Sequence, residues 1–304
     1  MRINKKVIKR RISQKNNMGL VRNERDRLRN PQPRGMSQKK VKVNIASIKS
    51  NIKLVDNDTT NNGKALKVIC CYFGERRIVA NTPENITDFL KLTIQNEIDI
   101  ENGMKTDVLI VNNDAGELKK NKWLFDTYNN KKTKNGKIIV DTRPNNGGSF
   151  GAYYYSFLNY WKQYDYWFFC EDDVLIFKEN YMLDFANLID INDNVSFISL
   201  APIRESIIPT HSGGGCGLTS TNLFLRQHDL RKLKKFYDKL DTDLGYGDLE
   251  QLEINFTNNF VNEEYHLTNH PKYSIYPKNY EKNKLYENFP ITNNNLEHIY
   301  NIGF

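Results

Sequence analysis

The sequence predicts an α/β domain built on a mostly parallel sheet, with helices covering both faces. Short apolar runs alternate with helix-period patterns from Ala65 onward. Several runs end in polar side chains, as at residues 112–114 and 171–173. Strands that are buried on both faces have such uninterrupted apolar runs, and strands that alternate with helices are typically parallel.

The elements follow in chain order. Between the first two strands, Thr82, Pro83 and Glu84 predict a helix start, with a capping hydroxyl, a proline at the first position and an early acid. The predicted strands are residues 66–73, 107–111, 137–140, 166–170, 195–200 and a short one at 273–277. The other predicted helices are residues 152–161, residues 181–188 and a basic amphipathic helix at 229–240. A last predicted helix begins in the acid-rich turn at 241–250 and runs to about residue 260.

Charge divides the 304-residue chain into two parts. Residues 1–50 hold sixteen Lys/Arg and two acids, a net charge of +14, while the rest of the chain carries −6. Residues 1–40 are polar and lack aromatic side chains, so they cannot bury enough apolar surface to fold alone. We expect either a solvated arm or an arm that binds nucleic acid or an anionic membrane surface.

The predicted domain division follows from this change in composition. Residues 1–64 are expected to be a disordered basic arm and linker, and residues 65–304 a single domain. Within that domain, a first half at about 65–177 and a second half at about 178–280 precede a polar tail that runs to residue 304.

Cysteine usage and hydropathy indicate the compartment. The four cysteines are Cys70, Cys71, Cys170 and Cys216, and they form neither a disulfide framework nor a zinc-binding pattern. No apolar run reaches the roughly 18–20 residues that a transmembrane helix requires, and the charged N-terminus lacks the apolar core of a secretory signal. The expectation is a soluble, cytoplasmic protein, with a host-cell or virion location left open.

The strongest chemical signal is a carboxylate triplet. Glu171, Asp172 and Asp173 directly follow the apolar run 166–170. Unpaired carboxylates are too costly to bury, so we expect them at the carboxyl edge of the sheet, where open α/β sheets bind ligands. Mg²⁺ or Mn²⁺ would relieve the repulsion among them, because both ions prefer oxygen ligands. The alternative is a solvated acidic turn.

A second motif favours different chemistry. Gly147, Ser149 and Gly151 form a G-x-S-x-G pattern, which is typical of the nucleophile elbow of α/β serine hydrolases. Chain order allows Asp248 and His270 as partners. Pro144 interrupts the strand before the motif, whereas an elbow needs the serine on a tight turn directly after the strand.

The order of these motifs resembles the GT-A glycosyltransferases, and in particular the large family-two-like inverting group. The resemblance rests on the first strand, the Asn113-Asp114 tip, the Arg-Pro-Asn-Asn-Gly-Gly turn at 143–148, the acidic triplet and the Gly-Asp-Leu-Glu sequence at 247–250. The triplet resembles a Glu-Asp-Asp variant of the DxD motif. The resemblance covers about residues 65–280 and implies a GT-A-type mixed sheet.

The resemblance also implies a function. It implies a hexosyltransferase-type enzyme (EC 2.4) that moves a sugar from a nucleoside-diphosphate sugar, expected to be a UDP-sugar, to a hydroxyl group with inversion. The acceptor would be a glycan, a protein or another hydroxyl compound. Mn²⁺ or Mg²⁺ would stabilise the charge that grows on the leaving diphosphate.

Site residues follow from matching positions. The resemblance implies nucleotide-sugar contacts from Tyr72, Glu75, Arg76, Asn113, Asp114, Arg143, Asn146, Glu171 and Asp172. It implies metal binding by Asp173, Glu171 and His270. Asp248, with Glu250 as the alternate, would be the base that deprotonates the acceptor, because a helix N-terminus favours an ionised carboxylate.

Two other functions stay open at this point. The first is a serine hydrolase that uses Ser149. The second is a nucleic-acid-binding protein whose transferase-like body is inactive and whose arm, residues 1–40, carries the binding.

Overall fold

The structure, a computed structural model, describes residues 62–73, 86–114, 118–172, 174–176, 178–200, 203–204, 211–212, 215–240, 246–261, 264–269 and 300–302. The helices are α1 (Ile86–Asp99), α2 (Leu118–Tyr128), α3 (Gly148–Tyr160), α4 (Tyr181–Ile191), α5 (Thr221–Gln227), α6 (Leu230–Tyr237) and α7 (Tyr246–Asn258). The strands are β1 (Lys64–Phe73), β2 (Lys105–Asp114), β3 (Ile138–Pro144), β4 (Tyr166–Glu171), β5 (Val174–Ile176), β6 (Val195–Ser199), β7 (Ile203–Arg204), β8 (His211–Ser212), β9 (Gly217–Ser220), β10 (His266–Asn269) and β11 (Tyr300–Ile302).

Seven strands form one mixed sheet in the order β10-β6-β9-β4-β1-β2-β3. Strand β9 pairs antiparallel with both β4 and β6, and the other neighbours pair in parallel. Two small sheets accompany it, β5 with β11 and β7 with β8. The predicted α/β fold with a mostly parallel sheet is confirmed.

Helices cover both faces of this sheet, as predicted. On one face, α1, α2 and α4 contribute side chains such as Ile94, Leu124 and Phe185 to a buried apolar cluster. On the other face, α3, α5, α6 and α7 build a second cluster that is rich in aromatic rings, including Phe157 and Phe256. Alternate residues of the central strands belong to the two clusters, which is the period-2 pattern of a strand buried on both sides.

Several elements have no counterpart among the predicted ones. Strand β9 consists of only four residues, so it lacks the long apolar run of a buried parallel strand, yet it lies between β4 and β6. Helices α2 and α5 and strand β10 were also not predicted. The predicted helix start at residues 82–84, the strand at 273–277 and the basic arm lie outside the described residues, so the domain division stays a prediction. Among the described helices, none is both long and apolar enough to cross a membrane.

A buried ion pair connects β1 to α1. Lys67 on β1 is fully buried, and its Nζ lies 2.6 Å from Glu97 Oε1 on α1. The Tyr181 hydroxyl donates to the other Glu97 oxygen at 3.0 Å, and the Lys67 ammonium lies over the Tyr181 and Phe168 rings. Because these charges have left water, each depends on the other for its stability.

Removing one partner of this pair should therefore be costly. We expect Lys67→Met to lower the free energy of unfolding by about 3–5 kcal/mol, because Glu97 is left as a buried charge. The double variant Lys67→Met/Glu97→Leu should recover at least half of that loss. Urea unfolding curves measure both, and a double variant no more stable than the single one would contradict this account.

His228, which follows α5, is buried against aromatic rings. Its ring stacks on Phe224 with centroids 4.1 Å apart, and Nδ1 lies 3.0 Å from the Phe224 carbonyl oxygen. Nε2 is buried without a hydrogen-bond partner in the described part of the chain. Burial lowers the pKa of His228 from 6.5 to about 4, because the imidazolium would lose its hydration.

This pKa shift predicts a loss of stability in acid. Below pH 6.5 the unfolded chain protonates His228 while the folded chain does not, until the pH approaches 4. The free energy of unfolding should fall by roughly 3 kcal/mol across that window as a result of this group. Because other groups titrate there too, the measurement is the difference between the parent and His228→Phe in urea unfolding at pH 7 and pH 4. Equal pH dependence in the two proteins would contradict the prediction.

Candidate active site

The order in which successive strands join the sheet reverses at β1. After β1 the chain adds β2 and then β3 on one side, and it then crosses over α3 to add β4 on the other side of β1. The crossover helices therefore lie on opposite faces, which is the arrangement that leaves a crevice beyond the carboxyl ends of such strands in open α/β sheets. Ligands of open α/β sheets bind at this switch point.

Arg143 ties the strand ends on one side of the crevice together. The residue is 2 % exposed, and Nη1 donates to Asn113 Oδ1 at 2.6 Å. Nη2 donates to the Asn146 carbonyl oxygen, and Nε donates to the Tyr237 hydroxyl at 3.2 Å. The guanidinium thus connects β2, the turn after β3, and α6.

Asn113 is fully occupied by neighbouring protein groups. Its amide nitrogen donates to Cys70 Sγ at 3.0 Å and to the Gly148 carbonyl oxygen at 3.1 Å, while its oxygen accepts from Arg143. The side chain is completely buried. Asn113 and Arg143 were predicted as nucleotide-sugar contacts, and that role stays a prediction. The role that the geometry supports is positioning of the strand ends.

Three glycines let the start of α3 approach these groups closely. Gly147 and Gly148 have φ of 75° and 55°, which places both in the left-handed region that favours glycine. A Cβ on Gly151 would lie 1.8 Å from the Asn146 carbonyl oxygen and 2.8 Å from Arg143 Nη2. The G-x-S-x-G pattern thus has a packing reason, since Gly151 leaves the room that Arg143 needs.

Ser149 links α3 to the acidic strand end. It is the second residue of α3, and its Oγ donates to Glu171 Oε1 at 2.5 Å. Both residues are partly exposed. Because four residues separate Pro144 from Ser149, the serine does not follow its strand directly, as a nucleophile elbow requires. The hydrogen-bond partner of the Ser149 hydroxyl is the Glu171 carboxylate, whereas a nucleophile elbow pairs its serine with a histidine.

Cys70 lies beside this pair on β1, where it is the register partner of Glu171 on β4. Burial raises the pKa of the Cys70 thiol, and the Glu171 and Asp172 carboxylates raise it further, while a hydrogen bond from Ser149 acts in the opposite direction. The thiol is therefore neutral at physiological pH, which makes it a packing group and not a nucleophile. Cys70, Ser149 and Glu171 form a compact polar cluster at the switch point.

The residues of the acidic triplet have different surroundings at the end of β4. Glu171 ends the strand and turns to Ser149 on the α3 side. Asp172 was expected at an exposed edge, but it is only 3 % exposed, because α1 covers it and the Thr93 hydroxyl of α1 donates to the Asp172 carbonyl oxygen at 3.0 Å. Asp173 lies outside the described residues.

The first turn of α7 packs against the start of α3. Leu249 packs on Gly148, so closely that a Cβ there would lie 3.0 Å from Leu249 Cδ2. Asp248, the preceding residue, is exposed in the first turn of the helix. The structure thus packs the first turn of α7 against the start of α3, and the role of Asp248 as the base stays a prediction.

The turn between β3 and α3 contains two buried amide oxygens without donors. Within the described part of the chain, Asn145 Oδ1 and Asn146 Oδ1 have no hydrogen-bond partner. A buried acceptor is costly when it lacks a donor, so such atoms are typical contacts for water or a ligand. Asn146 was predicted as a nucleotide-sugar contact, and its free oxygen is compatible with that prediction.

Several predicted site residues are not described. Glu75, Arg76 and His270 lie outside the described residues. Tyr72, Asp114 and Glu250 have described backbone in β1, β2 and α7, and their side chains lie outside the described part.

Sequence reasoning assigned no site role to Cys70 or Tyr237. The alternation of β1 could have suggested Cys70, since it shares a face with Leu66 and Val68.

Comparisons with known proteins find similarity to solved structures only. A scan against protein-family models finds no match, and a search of curated proteins finds none. A cytidylyltransferase from Leptospira borgpetersenii is 14 % identical, with a TM-score of 0.41 over 74 % of this chain and 79 % of that one. The glycosyltransferase GlyE of Streptococcus pneumoniae is 11 % identical, with a TM-score of 0.37 over 69 % and 45 %.

A third similar structure is the galactosyltransferase LgtC in complex with donor and acceptor sugar analogs. It is 12 % identical, with a TM-score of 0.37 over 68 % of this chain and 72 % of that chain. Identities and TM-scores this low assign neither a family nor an activity. The candidate site therefore depends on the geometry of this chain's own residues.

The Arg143 contacts generate a stability prediction. We expect Arg143→Lys to lower the free energy of unfolding by about 2–3 kcal/mol, because an ammonium cannot reach Asn113, Asn146 and Tyr237 together. Tyr237→Phe, which removes one bond, should cost only about 1 kcal/mol. Urea unfolding of both variants is the measurement. Equal losses would show that the guanidinium does not connect the three elements.

Proposed function

We propose that this protein is a metal-dependent glycosyltransferase of the GT-A type. It transfers a sugar from a nucleoside-diphosphate sugar, with a UDP-sugar as the expected donor, to an acceptor hydroxyl, with inversion at the anomeric carbon. The observation that carries the proposal is the convergence of Glu171, Ser149 and the first turn of α7 at the switch point of the sheet.

The crevice has features that suit a diphosphate-bearing ligand. The N-terminus of α3, with its glycines, has no side-chain cap, so its first backbone N–H groups are available to a phosphate. The free oxygens of Asn145 and Asn146 suit ribose or sugar hydroxyl donors. The Arg143 contacts hold the turn in place and therefore preorganise this surface.

Metal binding is a further part of the proposal. Glu171 supplies hard oxygen donors of the kind that Mg²⁺ and Mn²⁺ prefer. Among the described residues no group of three or more His, Cys, Asp or Glu side chains could hold a metal ion. The proposed ligands are therefore Asp173 with Glu171, and His270 as the third. A bound cation would act as a Lewis acid for the leaving diphosphate.

Asp248 would act on the acceptor. Asp248 is exposed in the first turn of α7, and a carboxylate there can accept the proton of an incoming hydroxyl. Ser149 holds Glu171 by a short hydrogen bond and so orients that carboxylate beside the crevice. The proton leaves on Asp248, while the attacking oxygen forms the new bond and the diphosphate departs.

Donor binding tests the proposal directly. We expect one nucleotide sugar, in a panel screened with and without Mn²⁺, to raise the melting temperature of the full chain only when the metal is present. A ligand at about 100 times its Kd stabilises the folded state by about 2.7 kcal/mol, which such a screen detects easily. Asp173→Ala should remove this shift. Asp248→Asn should keep it and abolish sugar transfer.

Asp193→Asn, an exposed acid in the turn before β6, is the matched control and should keep both donor binding and transfer. The proposal fails if Asp173→Ala binds donor as the parent does. The serine-hydrolase alternative makes the reverse prediction, in which Ser149→Ala abolishes activity and a chelator has no effect.

A further inference from the structure

Helix α6 presents a cationic face along one side of the domain. Arg231, Lys232, Lys234, Lys235 and Lys239 are all exposed on this helix and the residues that follow it. At 100° per residue they cover roughly 160° of the helix circumference. We call these five residues the α6 cationic face. The acid among them is Asp238, which pairs with Lys234.

The opposite side of α6 fixes the helix to the body. Leu233 is 5 % exposed, and Leu230, Tyr237 and Leu240 pack on the aromatic cluster beneath. Asp229 caps the helix by accepting from the backbone N–H groups of Arg231 and Lys232 at 2.9 Å. The cationic face is therefore presented on a rigid element.

An apolar side chain borders these charges. Phe236 is 38 % exposed, and its ring packs edge-on against Tyr154 with centroids 5.6 Å apart. On the helical wheel it lies next to Lys232. Cations attract anionic headgroups, and an exposed aromatic ring beside them can enter the boundary between headgroups and acyl chains.

From this arrangement we infer that α6 docks the protein on an anionic lipid bilayer. The five cations spread over roughly 160° of the helix circumference, which suits lipid headgroups that rearrange laterally around each cation. A nucleic acid has phosphates at fixed spacing and is better bound by a track or groove. Four of the five cations are lysines, which act as point charges on flexible stems rather than as bidentate phosphate ligands.

Docking through α6 also has a geometric consequence for the crevice. The helix runs alongside α3 toward the switch point, because Tyr237 contacts Arg143 and Leu240 packs on Gly147. A bilayer bound along α6 would therefore meet the protein beside the opening of the crevice. This surface is separate from the proposed chemistry and stands without it.

Co-sedimentation of the full chain with vesicles tests the inference. With about 30 % phosphatidylserine in phosphatidylcholine, at about 0.1 M salt, we expect the chain to sediment with the vesicles. The triple variant Lys232→Gln/Lys235→Gln/Lys239→Gln should lower the partition coefficient roughly 100-fold, since each basic residue near such a surface adds severalfold. Phe236→Ser should lower it about fivefold, with little dependence on salt.

A matched triple variant controls for net charge and for the basic arm. Lys105→Gln/Lys132→Gln/Lys134→Gln removes three exposed charges elsewhere on the body and should sediment as the parent does, apart from a small long-range effect. Melting temperatures check that all variants fold. Donor-induced thermal shifts should be unchanged in the α6 variant, so a failed transferase proposal and a failed docking proposal give different results.

Three outcomes would overturn the inference. The first is an equal loss of vesicle binding in the α6 variant and its matched control, and the second is no loss in either. The third is an α6 variant that keeps vesicle binding but loses binding to a nucleic acid duplex, which would identify the partner as nucleic acid.

Discussion

The need to satisfy a buried guanidinium organises the crevice side of this domain. Arg143 has left water, so its donors require protein acceptors, and they find them on β2, on the turn after β3 and on α6. Gly151 has no side chain because the turn carbonyl and the guanidinium occupy that space. The strand ends, the start of α3 and the end of α6 are thereby held in one arrangement, on which any ligand contact at the crevice depends.

Charge is distributed unevenly around the switch point. Burial and two carboxylates keep Cys70 neutral, while the amino end of α3 brings partial positive charge to the neighbourhood of Glu171. A neutral thiol, a carboxylate and backbone donors thus lie together at the switch point. Such a combination suits a ligand that has both hydroxyl groups and an anionic group.

Much of the fold could be predicted because buried parallel strands have a local signature. The runs that became β1, β2, β3, β4 and β6 are apolar enough to be recognised without their neighbours. Strand β9 has no such signature, since Gly217 to Ser220 becomes a strand through pairing with β4 and β6. Its position is decided by contacts between distant parts of the chain, which a local pattern does not contain.

The sequence predicts the carboxylate at the end of β4, and it does not predict the surroundings of the candidate site residues. Because burying a charge is costly, the sequence predicts that Glu171 and Asp172 lie at the exposed end of the strand. This is correct for Glu171 and wrong for Asp172, which α1 covers. Asn113 has the residue type and position of a ligand contact, and only the structure shows that its amide is already bonded to Arg143, Cys70 and Gly148. The G-x-S-x-G pattern has a steric cause that no motif search distinguishes from a catalytic one.

The placement of β4 beside β1 also has a consequence for how the chain folds. Strands β1, β2 and β3 are neighbours in both sequence and space, whereas Cys170 meets the Val68 carbonyl oxygen across 102 residues of chain. Closing a loop of this length is slow, so β1 should expose an open strand edge until β4 arrives. The crevice forms from those two strands and therefore belongs to a late folding step, during which the apolar edge of β1 is open to pairing with other chains.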